Sequence, residues 1–235
     1  MWKPPFFKEI FRKWSMRRFY QSFITNGNLC FDVGANKGER TMYYLELGAK
    51  VVALEPQKSC FNQIQLKFGN HQNLEILNSA VGSQEGFASL NLCSESDECA
   101  SFSSKFIETY STISGFHWPN TELVSVVTLD ALIQKYRVPD FCKIDVEGYE
   151  REVFKGLNHT IPEIHFEFNQ PLLKDTIECL KLLEKLGNYE CNYLIYEKMK
   201  PILKTRVPIR VFRKNINSII PSEIETGEIL VSLTG

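Results

Sequence analysis

Short apolar runs alternate along the chain with stretches whose apolar positions recur every three or four residues. The first run, Leu29 to Val33, reads as a buried parallel strand. Gly34 and Gly38 follow, and then Met42, Leu45 and Leu47 stand at roughly helical spacing. This is a strand, a glycine-rich turn and a helix. Lys50 to Glu55 reads as the second strand, ended by Pro56, and Ser59 to Phe68 as the next helix. Leu74 to Leu77 is a third strand, followed by Asn78-Ser79-Ala80-Val81. Phe87 to Leu92 alternates like an added strand or hairpin arm, Val124 to Thr128 is a short strand, and Leu129 to Tyr136 a helix. Phe141 to Val146 gives a further core strand, Tyr149 to Leu157 a helix, and Glu163 to Phe168 a strand. Leu172 to Leu186 is an amphipathic helix stopped by Gly187, and Tyr189 to Tyr196 and Glu228 to Leu233 are the last strands. Such alternation implies an α/β domain with a mostly parallel sheet and helices on both faces.

Two segments break the pattern. Ser94 to Asn120 is serine-rich with interspersed aromatics and no clear period, and reads as a functional lid or a partly mobile insertion. Residues 1–27 form a basic amphipathic helical segment ahead of a domain over 28–235. Phe7, Ile10, Phe11 and Trp14 share one helical face there, among Lys8, Arg12, Lys13, Arg17 and Arg18. The helix suits packing over the protein's own core or cofactor mouth; peripheral contact with an anionic membrane is the sharper expectation. A second basic stretch without an acid runs from Lys198 to Lys214.

Composition narrows the class. The 235 residues are 43% hydrophobic and 23% charged, which suits one globular domain. A net charge of -1 argues against a global nucleic-acid binder, so no nucleic-acid partner is expected. The seven cysteines form no C-x-x-C pair and histidine is sparse, which disfavours structural zinc. That scatter, with no signal-peptide core and no run long enough to span a bilayer, leads to the expectation of a cytoplasmic protein.

The chemistry gathers at strand ends. The turn Gly34-Ala35-Asn36-Lys37-Gly38 is G-x-N-x-G rather than G-x-G-x-x-G, and it brings backbone N–H groups and a helix end to a ligand. Asp32 stands where it can accept from a ligand amine, and Glu55 where an acid binds ribose hydroxyls. Pro56 follows it, and Ser79, Ala80 and Val81 are small enough to admit an adenine ring. Asp145, Glu147, Glu167 and Asn169 also fall at strand C-ends, where ligands of parallel sheets lie. Three acids so close should raise the pKa of one of them, which suits a general base. Glu147 also stands where an acid could cap the following helix. These oxygens resemble an Mg²⁺ set, but cofactor and base roles account for them and no metal is assigned. His117, a lone loop histidine, is a weaker candidate base.

The motifs FDVGANKG (Phe31 to Gly38), LEP (Leu54 to Pro56), SAVG (Ser79 to Gly82), VTLD (Val127 to Asp130), KIDVEGYE (Lys143 to Glu150) and FEF (Phe166 to Phe168) stand in order. Together they resemble the FkbM family of S-adenosylmethionine-dependent methyltransferases. The resemblance implies a Rossmann-like class I methyltransferase fold with a seven-stranded sheet. It implies S-adenosylmethionine as cofactor and methyl transfer to a hydroxyl of a small molecule, sugar or glycan. It also implies Asp32, Gly34, Ala35, Asn36, Gly38, Glu55, Pro56, Ser79, Ala80, Val81 and Asp145 as cofactor-binding residues. The catalytic residues expected are Glu147 as base, with Asp145 and Glu167. Competing readings are a non-catalytic S-adenosylmethionine-binding scaffold and an NAD-type oxidoreductase; the missing third-glycine spacing counts against the latter.

Overall fold

A computed structural model describes residues 5–196 and 199–234, with side chains from residue 13 onward. Phe7, Ile10 and Phe11 of the proposed amphipathic face, and Lys198 of the second basic stretch, lie outside the described side chains.

The chain begins with α1 (Pro5–Tyr20), then β1 (Leu29–Val33), α2 (Glu39–Glu46), β2 (Lys50–Leu54), α3 (Lys58–Phe68) and β3 (Leu74–Leu77). Next come β4 (Ser79–Val81), β5 (Gly86–Leu92), α4 (Ser104–Ile113), β6 (Asn120–Val127), α5 (Leu129–Tyr136) and β7 (Phe141–Ile144). The last part holds α6 (Glu150–Lys155), β8 (Glu163–Asn169), α7 (Leu173–Leu186), β9 (Tyr189–Leu194), β10 (Val207–Pro208), α8 (Ile209–Lys214), α9 (Ile216–Ile219) and β11 (Thr226–Leu233).

The main sheet has the order β10-β9-β11-β8-β7-β1-β2-β3. From β3 to β8 every pairing is parallel, and β11 inserts antiparallel between β8 and β9. The Rossmann-like α/β architecture is therefore as expected, but the sheet has eight strands rather than seven. The extra one is the two-residue edge pairing of Val207 and Pro208 with β9; so short a strand, half of it proline, has no period to read. A separate three-stranded sheet, β4-β6-β5, holds Ser79–Val81 apart from the main sheet.

Strand alternation divides the core into two layers. Leu29, Phe31 and Val33 of β1 join Val52 and Leu54 under α5, α6 and α7, through residues such as Leu132, Phe154 and Leu180. Cys30, Val51 and Ala53 face the other way, onto Tyr43, Tyr44 and Ile64 of α2 and α3. Met16, Phe19 and Tyr20 of α1 are buried in that second layer. All seven cysteines are free thiols, with Cys30 and Cys142 fully buried.

The segment expected to be irregular is largely structured. It holds a 3-10 turn at Asp97–Cys99 and the ten-residue α4, whose N-cap Ser103 accepts from the Phe106 N–H at 3.1 Å. The helix escaped the pattern because only Phe106 of its side chains is fully buried, so its apolar stripe is narrow.

Candidate active site

Beyond the C-terminal ends of β1, β2 and β7 a cleft of about 740 Å³ opens, with Gly34, Glu55, Ala80, Asp145, Glu147 and Glu167 in its wall. Ala35, Asn36, Gly38, Pro56, Ser79 and Val81 line it as well. The glycine turn needs its glycines. Gly34 has φ 79°, and a Cβ there would stand 1.8 Å from the Asp145 carbonyl oxygen. The turn and the acidic loop after β7 are therefore in backbone contact, which no residue with a side chain permits.

Glu55 stitches the turn to β2. Its carboxylate accepts from the Asn36 N–H at 2.7 Å and from the Gln57 N–H at 2.8 Å. Burial pushes its pKa up to about 7 against those two hydrogen bonds. Asn78 caps the same corner, donating to the carbonyls of Glu55 at 2.9 Å and Pro56 at 2.8 Å.

Asp32 departs from its expected place. It is buried, accepts from the Thr41 hydroxyl at 2.5 Å, and is absent from the cleft wall. The cause is depth along the strand: Asp32 lies beside Lys143 one residue before β1 ends, under α2, and stops short of the cleft beyond the strand ends. It supports the turn from beneath.

The acidic loop departs from the strand geometry expected of it. β7 ends at Ile144, two residues early, and Glu147 (φ 51°) and Gly148 (φ 84°) form a left-handed turn. Three contacts hold it. Glu150 Oε1 accepts from the N–H groups of Val146 at 3.2 Å and Gly148 at 3.3 Å. The Ser101 hydroxyl donates to the Glu147 carbonyl at 2.7 Å. Phe106 of α4 packs on Gly148, where a Cβ would come within 2.9 Å of it. α6 starts at Glu150 with no side-chain cap, so Glu147 does not serve as the helix cap. Its carboxylate accepts no hydrogen bond among the described residues and faces the cleft.

Asp145, Glu147 and Glu167 each offer a carboxylate oxygen within 4.8 Å of the other two. Two cations set their charges: Lys143, expected from its place on the same strand to offset part of the acids' charge, and Arg40, which the motif reading did not connect. Lys143, fully buried, lies 3.1 Å from Asp145 and 3.4 Å from Glu228 of β11. Arg40 of α2 lies 3.3 Å from Asp145 and 3.5 Å from Glu228. Burial pushes the Asp145 carboxyl up, but Lys143 and Arg40 outweigh it and hold it below its ordinary value. Glu147 and Glu167 go the other way. Burial, then the neighbouring acids, raise both well above the usual carboxylate range. Glu167 is nonetheless well held: it accepts from Asn169 at 3.2 Å, Thr226 at 3.1 Å and Tyr196 at 3.4 Å. Tyr110 of α4 in turn donates to Asn169 at 2.8 Å. The three oxygens have a spacing that a divalent ion could bridge, although two cations already press on Asp145. His117 is exposed, pairs with Glu95 at 3.0 Å, and lines no part of the cleft.

The profile of the Methyltransferase FkbM domain matches residues 32–195, well over half of the chain. The chain belongs to the FkbM methyltransferase family. It is a methyltransferase whose cofactor is S-adenosylmethionine. No curated protein matches the sequence at a significant level. Among solved structures, a TehB-like methyltransferase from Corynebacterium glutamicum is 9% identical with a TM-score of 0.48, covering 94% of this chain and 88% of its own. Precorrin-6y C5,15-methyltransferase from Geobacter metallireducens is 10% identical with a TM-score of 0.49, covering 95% and 87%. An rRNA methylase from Streptococcus thermophilus is 9% identical with a TM-score of 0.47, covering 100% and 99%. At these values the likenesses say nothing of the acceptor, and the expectation of no nucleic-acid partner gains no support from them.

The donor set fits the cofactor. Glu55 stands at the end of β2, an ionised Asp145 lies beside the glycine turn, and Ala80 and Val81 leave an apolar wall without bulk. The volume suits a ligand of that size.

Proposed function

We propose that the enzyme methylates a hydroxyl oxygen of a small-molecule, sugar or glycan acceptor, with Glu147 as general base. The observation that carries this reading is the Glu147 carboxylate. It faces the cleft without a hydrogen-bond partner, its proton affinity is raised, and it stands among acids whose roles differ. S-adenosylmethionine, when bound, supplies an electrophilic methyl group. Asp145, held ionised by Lys143 and Arg40, binds the cofactor's positive amine end. Glu55 takes the ribose hydroxyls, and the turn from Gly34 to Gly38 presents backbone to the rest. Glu147 removes the acceptor's hydroxyl proton as its oxygen attacks. A base whose proton affinity is raised above an ordinary carboxylate's does this better, because proton transfer to it then has more driving force. Glu167 is kept in place by three donors beside Glu147, and burial with the proximity of the acids raises the proton affinity of both carboxyls. Alignment of oxygen and methyl supplies much of the remaining acceleration.

The test uses S-adenosylmethionine labelled in the methyl group, a panel of hydroxyl-bearing small molecules and sugars, and mass spectrometry of the products. Label on oxygen is expected. Glu147→Gln should lower turnover by on the order of a hundredfold with cofactor affinity nearly unchanged, and remove the acidic limb of the pH–rate profile. Label found on nitrogen, on carbon or on RNA would overturn the acceptor assignment. Near-wild-type turnover of Glu147→Gln would remove that residue from the mechanism.

A further inference from the structure

We propose that the outward face of α1 lies on an anionic lipid bilayer and holds the mouth of the cleft beside it. The helix has two faces with different tasks. Met16, Phe19 and Tyr20 are buried against the domain. Trp14 points away from them, is 57% exposed, and carries the Arg18 guanidinium 5.2 Å above its ring. Arg17 is exposed too, and its counter-charge is weak: Glu46 lies 3.7 Å away and both side chains are about half exposed. In the sequence, the residues seven, four and three positions before Trp14 are Phe7, Ile10 and Phe11. At 3.6 residues per turn those positions fall on the helix face of Trp14, about half a turn from that of Met16, Phe19 and Tyr20. A helix with an aromatic and aliphatic stripe flanked by arginine and lysine is the pattern that settles into the headgroup boundary of an anionic membrane.

The second basic stretch reaches the same place. Met199 packs in the apolar cluster of Met16 and Phe19, and the Arg206 guanidinium lies 5.9 Å from the ring of Phe23 just after α1. Lys200 and Lys204 between them are exposed. Arg206 itself pairs with Glu163 at 3.4 Å, so Arg17, Arg18, Lys200 and Lys204 are the exposed cations to which an anionic surface is the complement. The contact concerns the cleft because Lys13 and Met16 of α1, with Tyr196 and Met199, line its mouth. Among the described residues no helix is long and apolar enough to cross a membrane, so the contact lies along the surface. A nucleic acid would also meet the cations, but a continuous aliphatic and aromatic stripe matches an acyl boundary better than stacked bases.

The experiment is sedimentation of the full chain with vesicles of phosphatidylcholine alone and of phosphatidylcholine with phosphatidylglycerol. Partition onto the anionic vesicles is expected, weakening as salt rises. Arg17→Gln with Arg18→Gln should reduce it about 25-fold, since each cation near such a surface contributes about fivefold. Lys200→Gln with Lys204→Gln should act in the same direction, and Trp14→Ala should reduce it about tenfold through lost apolar burial. S-adenosylhomocysteine binding by all three variants serves as the folding control, because none of these residues lines the cleft. No sedimentation, equal partition onto neutral vesicles, or partition unchanged by the substitutions would overturn the proposal. So would retention of an RNA probe through the same arginines with no vesicle binding.

Discussion

Replacing Lys143 by methionine keeps the length of the side chain and removes one buried positive charge. The ammonium it removes stands 3.1 Å from Asp145 and 3.4 Å from Glu228, with Lys143 and Glu228 both almost wholly shielded from water. At an effective dielectric near 20, each attraction is worth about 5 kcal/mol before desolvation. Desolvating each ion costs several kcal/mol, so the intact cluster adds little net stability. Breaking it is another matter, because two largely buried carboxylates then share the Arg40 guanidinium. The expected loss is about 3–5 kcal/mol, read from denaturant titration as a lower midpoint at unchanged slope. Thermal unfolding should fall by roughly 10 °C in a domain of this size. Asp145 should also protonate more readily, so S-adenosylhomocysteine should bind more weakly in calorimetry. The decisive arm is the double variant Lys143→Met with Glu228→Leu. Removing the pair together should recover most of the stability, leaving it within about 1 kcal/mol of the starting protein. A single substitution that costs under about 1 kcal/mol, as an exposed pair would, would refute the reasoning. So would strictly additive effects in the double variant.

Glu55→Ala should weaken cofactor binding by about 1.5–3 kcal/mol in calorimetry, whereas Asp32→Ala should act mainly on the melting temperature, since Asp32 supports the turn from beneath. Ser101→Ala deletes the hydroxyl that holds the Glu147 carbonyl, and should lower turnover several-fold with cofactor affinity preserved; unchanged turnover would show that the remaining contacts suffice to aim Glu147. Glu150 has a pKa of about 7 in the folded chain, raised by burial from 4.5. Its folded form binds the proton more tightly than its unfolded form, so its contribution to stability is full below pH about 4.5 and is lost as pH rises to about 7. Glu150→Gln should therefore flatten the decline in folding stability between pH 5 and 8 by roughly 1–3 kcal/mol, measured by denaturation at each pH.

Much of the site could be read along the chain because its parts are local. A strand, two glycines four residues apart and a helix are enough to specify the turn from Gly34 to Gly38, since only backbone without side chains fits there. An acid at the end of the next strand, and the run from Lys143 to Glu150, lie within one strand-to-helix connection each. The order of strands and helices was legible for the same reason, because apolar runs and helical spacing lie within single elements. The proposed outward stripe of α1 was also visible as spacing.

Tertiary structure decided what depends on contacts between distant segments. Asp32 and Asp145 share one face of the sheet, yet Asp32 is buried under α2 within β1, whereas Asp145, just past the end of β7, lines the cleft; how far each stands along its strand, set by the packing of α2, distinguishes them. Glu228 arrives from the last strand because β11 inserts beside β8, and Arg40 from α2; no spacing in the sequence connects either to Lys143. Ser101 and Phe106 reach the left-handed turn at Glu147 and Gly148 from a segment without a readable period. A charge's pKa and a carboxylate's orientation follow from the surrounding field and packing. Chain order specifies which groups exist, and folding alone sets which of them come within a few ångström.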